Sequence, residues 1–203
     1  METKIARIIS IIMHPMFMLT WAMLLMFNIN AYFVMILPER VRWSIVLLTL
    51  VNNAIVPAIL IWIMARKKLI SSVEMPIKEE RTYPFLICAI FYASTFFLLR
   101  NLGLPRIYYL FVIGALLMSG VSLFINIFWK ISIHMIGMGA LVGGFLALSY
   151  RSLIDAPLLL IGLILAAGLT GFARLKLNTH SPAQVYIGFF TGLVLMGGMF
   201  LIL

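Results

Sequence analysis

His134, Arg174 and His180 carry the strongest chemical signal in a chain of 203 residues that has only three histidines. Arg174 and His180 are separated by five residues, and Gln184 and Gly188 follow His180 at steps of four. A guanidinium offers a planar fork of N–H donors suited to phosphate oxygens. An imidazole nearby can attack phosphorus if its second ring nitrogen is held by an acceptor. Gln184, one helical turn beyond His180, is placed to be that acceptor. The same stretch, Ser181-Pro182-Ala183-Gln184, also has the form of a capping box, with Ser181 as N-cap, Pro182 at the first helical position and Gln184 reaching back. Both roles stay open for Gln184, and for His180 the alternative is a histidine at the water boundary.

Two further stretches could join this one. Lys130-Ile131-Ser132-Ile133-His134 opens a Gly-rich apolar run. If Ser132 caps a helix there, the first-turn N–H groups face any anion in the gap, and His134 could protonate a leaving alkoxide and later activate water. Its alternative is a structural histidine at the membrane boundary. Lys78-Glu79-Glu80-Arg81-Thr82-Tyr83-Pro84 places Lys78 and Arg81 three apart, on one helix face, so that two cations could converge on a phosphate. A solvated charge cluster would read the same way.

The elements that must hold these residues are transmembrane helices. Hydrophobic residues make up 64% of the chain and charged residues 10%, and the mean hydropathy is +1.15. A soluble domain would carry about 25% charged residues. Apolar runs reach the ~20 residues that cross a bilayer. The alternation that a membrane barrel requires is absent. The fold class is therefore all-α, a polytopic bundle of six or seven spans forming one membrane-embedded domain over residues 1–203. Apolar segments fall at roughly 10–37, 42–65, 84–100, 107–129, 133–150, 155–173 and 182–203. The first is interrupted by His14-Pro15, and the third is short. Lys4 and Arg7 precede the first run without a small-residue cleavage site, which reads as a retained helix and not as a signal peptide.

Two spans separate each polar stretch from the next, so all three are expected on the same membrane face. The net charge of +9 then reads as topology and phosphate contact and not as nucleic-acid binding. The lone Cys88 excludes a disulfide framework and a multi-cysteine metal site. Other features read as structural. Gly139-x3-Gly143 and Gly188-x3-Gly192 permit close helix approach, Asn52 and Asn53 are suited to interhelical hydrogen bonds, and His14 reads as interfacial. Arg66-Lys67-Lys68 could attract anionic headgroups.

With these motifs in order along residues 78–192, the chain resembles the type 2 phosphatidic acid phosphatase superfamily of integral membrane lipid phosphatases. The family's third motif, Ser-Arg-x5-His-x3-Asp, is matched by Arg174, His180 and Gln184, with Ala173 in place of serine and Gln184 in place of aspartate. Its second, Pro-Ser-Gly-His, survives as Ser132-Ile133-His134. Its first, Lys-x6-Arg-Pro, is met at shorter spacing by Lys78, Arg81 and Pro84. The resemblance implies His180 as a nucleophile forming a phosphohistidine and His134 as acid and then base. Gln184 would orient His180, and Lys78, Arg81, Ser132 and Arg174 would hold the phosphate. It implies no metal or other cofactor, and a membrane lipid phosphate or polyprenyl diphosphate as substrate. Transfer of the phosphoryl group to an acceptor other than water is a second enzymatic reading. A lipid-binding or transport protein with a degenerate site is the alternative of a different class, and it rests on Ile133 and the compressed first motif.

Overall fold

The computed structural model describes residues 2–72, 75 and 79–202, and every regular element among them is helical. α1 (Glu2–Ile12) stops at His14-Pro15, because proline disfavours a helical residue before it and has no N–H to continue the ladder. A short 3-10 turn, Pro15–Phe17, leads into α2 (Met18–Phe27). A single-turn α3 (Tyr32–Met35) precedes α4 (Glu39–Leu50), which passes through a π-helical turn, Val51–Ile55, into α5 (Val56–Arg66). A 3-10 turn, Glu79–Arg81, starts α6 (Thr82–Asn101). Then follow α7 (Arg106–Phe128), α8 (Ile133–Tyr150), α9 (Pro157–Lys176) and α10 (Pro182–Ile202). Among the described residues seven stretches are long and apolar enough to cross a membrane, giving a polytopic helical bundle.

Two expected boundaries shift. The first span begins at Glu2 and ends at Phe27, not at 10 and 37. Its charges are accommodated because α1 is amphipathic: Ile5, Ile8 and Ile12 face outward while Ala6 and Ser10 are buried. Glu2 pairs with Lys176 of α9 at 2.5 Å. At the other end Asn28 donates its side-chain amide to the Leu24 carbonyl and closes α2. The third span is full length, Glu79–Asn101, because Arg81 is buried inside the bundle and not hydrated at its edge.

Asn52 and Asn53, in the middle of the second span, are paired between helices. At the π-turn, Asn52 Nδ2 donates to the Phe91 carbonyl at 3.1 Å and to Thr95 Oγ1 at 2.7 Å. Asn53 Nδ2 donates to the same hydroxyl at 2.8 Å, tying the second span to α6.

α8 and α10 pack with their backbones almost in contact. A Cβ at Gly139 would fall on the Phe189 carbonyl oxygen, one at Gly143 on that of Leu193, and one at Gly192 on that of Ile136. These glycines lie on one face of each helix, so the two axes can approach without intervening side chains. The expected outcome of Gly192→Ala is a loss of about 1–3 kcal/mol from overpacking. Gly168→Ala, on an open face of α9 with no atom near its Cβ, should be neutral or gain up to about 1 kcal/mol from helix propensity. Thermal unfolding of the two variants in detergent checks the opposite signs.

Candidate active site

Arg174 lies in the last turn of α9, and the chain reverses directly after it. Asn178 takes the left-handed conformation (φ 52°) that ends a helix and that Asn tolerates better than most residues. Thr179 then donates both its N–H (3.3 Å) and its hydroxyl (3.0 Å) to the Arg174 carbonyl. This turn fixes His180 relative to Arg174.

Gln184 makes the contacts of a capping box and also reaches His180. Its Oε1 accepts the Ser181 N–H at 3.1 Å, and its own N–H reaches Ser181 Oγ at 3.4 Å, completing the capping box. The same Oε1 lies 3.1 Å from His180 Nδ1. Because the backbone N–H of Ser181 identifies that atom as the acceptor, Nδ1 is the protonated nitrogen of the neutral ring. Nε2 then keeps its lone pair. Burial, and after it the Arg174 guanidinium, lower the His180 pKa to about 4, against the opposing pull of Gln184. The ring is neutral at pH 7, as a nucleophile must be.

His134 is held differently. Its Nε2 lies 3.1 Å from the Ser10 carbonyl of α1, which can only accept, so Nε2 carries hydrogen and Nδ1 is left to exchange a proton. The Ser10 carbonyl is available because α1 stops nearby. The His14 N–H, which a continuing helix would give to Ser10, donates to Ile11 at 3.2 Å instead. The His14 ring stands edge-on to His134, with centroids 5.2 Å apart, and its Nδ1 accepts the Met16 N–H at 3.4 Å.

One cavity of about 720 Å³ collects these groups: Arg81, Lys130, His134, Arg174 and His180 all line it. Arg7, Ser10 and His14 of the first span line it too. The sequence alone places His14 at the interface and gives Arg7 and Ser10 no part in the site. Their spacing of three and four, which puts all three on one face of a helix, was the available signal. Arg81 is 8% exposed; its Nε donates to the Met75 carbonyl at 3.1 Å, and its Nη1 has no hydrogen-bond partner among the described residues. Burial, then the Arg81 and Arg174 charges, lower the pKa of Lys130. Positive charge concentrated on one cavity suits it to an anionic ligand.

Ser132 differs from expectation in its side chain. It occupies the N-cap position of α8, but its hydroxyl makes no capping bond, is fully buried, and has no partner among the described residues. It does not line the cavity. Its N–H instead reaches the Gln184 carbonyl at 3.4 Å, joining the two motif-bearing helix starts. Lys78 lies outside the described residues.

Comparison of the chain with protein-family models, with curated proteins and with solved structures gave no match.

The depressed His180 pKa has a consequence for stability. Between pH 6.5 and about 4 the unfolded ring binds a proton that the folded ring does not, so stability falls as pH drops through this window. His180→Gln should flatten the decline of the thermal midpoint between pH 7 and pH 4.5. An unchanged slope would show that the ring is not held neutral.

Proposed function

We propose that the protein is a membrane-embedded phosphatase that hydrolyses a lipid phosphate or diphosphate through a phosphohistidine. The observation that carries this reading is the convergence of Arg81, Lys130 and Arg174 with two differently held histidines on one cavity. His180 Nε2 attacks phosphorus while its Nδ1–H stays on Gln184. A P–N bond forms and the bond to the lipid-side oxygen breaks. His134, which takes up a proton at Nδ1 as the dianionic headgroup binds beside it, gives that proton to the lipid-side oxygen. It then takes a proton from water, whose oxygen attacks phosphorus. The P–N bond breaks, releasing phosphate and restoring the neutral His180 ring.

The cations supply the rest. Arg81, Lys130 and Arg174 neutralise charge on the equatorial oxygens in surroundings where each interaction is stronger than in water. The role proposed for Ser132 narrows to setting α8 against Gln184, because its hydroxyl stands off the cavity. Hydrolysis without a metal matches the resemblance to the type 2 phosphatidic acid phosphatases, and membership of that superfamily is part of the proposal.

Phosphate release from lipid monophosphates and polyprenyl diphosphates by the purified protein tests the reading. His180→Ala should lower kcat by about 10⁴-fold or more and abolish the acid-labile, alkali-stable phosphoprotein. Gln184→Leu should cost about 10–100-fold, with Gln184→Glu recovering most of it. Equal release by wild type and His180→Ala would exclude the mechanism.

A further inference from the structure

The cavity continues inward past the histidines. Its wall runs from Arg81, just before α6, through Phe85 and Cys88 to Tyr92 of that helix. Residues 81 to 92 rise about 16 Å along a helix, roughly half of a ~30 Å hydrocarbon layer. On α7 the wall follows one helical face, and it changes character with depth. Ala22 of α2, Ala115 of α7 and Ala140 of α8 line it with small side chains. Phe111 stands one helical turn beyond Ala115 along α7, and Tyr92 and Met196 line the cavity with it as large buried side chains. Phe111 is held there by ring contacts with Phe145 and Phe200, and Met196 lies over Gly114 and Gly144. The wall is apolar in effect as well as in composition: Ser119, one of its few hydroxyls, donates to the Phe85 carbonyl at 3.1 Å.

A phosphate alone does not need this space. Water gains too few partners in an apolar shaft to occupy it favourably, and an empty shaft loses the dispersion contacts of its lining. An amphiphile satisfies both ends at once, with its phosphate among Arg81, Lys130 and Arg174 and its chain among the alanines. We infer that the shaft encloses one hydrocarbon chain of the substrate inside the bundle, and that Tyr92, Phe111 and Met196 set the length that fits. The tail is therefore not left wholly in the bilayer. This inference rests on the phosphatase reading of the cavity mouth and adds to it the shape of the substrate.

The test is phosphate release across single-chain alkyl phosphates from butyl to hexadecyl, by wild type, Ala115→Phe and Met196→Ala. Wild-type kcat/KM should climb with chain length to a plateau. Ala115→Phe should reach its plateau at shorter chains and lose about tenfold or more on hexadecyl phosphate, while butyl phosphate, too short to reach residue 115, stays within about threefold of wild type. Met196→Ala should move the plateau to longer chains. If Ala115→Phe also loses butyl phosphate, the Met196→Ala profile decides alone. Identical chain-length profiles in all three proteins would overturn the inference and leave the phosphatase standing. Photocrosslinking with a hexadecyl phosphate carrying a terminal diazirine separates the two failures. Labelling at Phe111 or Met196 without phosphate release from any chain would sink the phosphatase and keep the shaft. Labelling only at outward residues such as Leu117 would sink the shaft.

Discussion

Where α8 and α10 cross, carbonyl oxygens of one helix occupy the space that side chains would take on the other. Within a bilayer there is no water to drive apolar surfaces together, so helices associate through close packing and a few hydrogen bonds. Gly139, Gly143, Gly188 and Gly192 make that approach possible. At its end the Ser132 N–H meets the Gln184 carbonyl. Gln184 in turn holds His180, and His134 follows Ser132 by two residues. His134 lies in α8 and His180 just before α10, separated in sequence by the whole of α9, yet both are placed by one seam. A shift of either helix along the other would move one imidazole away from the second.

Buried polar groups are satisfied to different degrees in different parts of this bundle. At the π-turn, Asn52, Asn53 and Thr95 satisfy one another across the second and third spans, and the arrangement needs nothing more. Around the cavity the balance is different. Arg81 is buried with one nitrogen unmatched among the described residues, and positive charge presses on both Lys130 and His180. Buried polar atoms are normally paired, so an unmatched group calls for a specific cause. An anion between the cations is the cause proposed here. It would turn mutual repulsion into shared attraction and would account for why the network is incomplete without it.

What was legible in the sequence was local. Arg174, His180 and Gln184 are linked by one turn and one capping box, and both are written into eleven consecutive residues through Asn178, Ser181 and Pro182. The spans were legible because their hydropathy is continuous, and the glycine seam because its period matches a helix. The partners of His134 were not legible. Ser10 is 124 residues away, and only tertiary packing brings its carbonyl to the ring. The first span was misplaced because averaged hydropathy penalises Lys4 and Arg7, while helical phase puts Ile5, Ile8 and Ile12 on one side and Arg7, Ser10 and His14 on another. The Ser132 hydroxyl misled for a different reason: N-cap position is a property of the backbone, and it does not oblige the side chain to turn toward the helix.

The break at His14-Pro15 bears directly on the site. A continuous first helix would give the His14 N–H to the Ser10 carbonyl and leave nothing there for His134. Proline ends the helix, the last turn tightens so that His14 bonds to Ile11, and the Ser10 carbonyl points free of the ladder. His134 supplies the missing donor, which fixes its tautomer and reserves Nδ1 for proton exchange. The same break turns the chain so that α1 can lie along α9, where Glu2 meets Lys176 just beyond Arg174. The amino-terminal helix thus forms a wall of the cavity. Its contribution comes from a backbone carbonyl exposed by an interrupted ladder, which no list of reactive side-chain types would include.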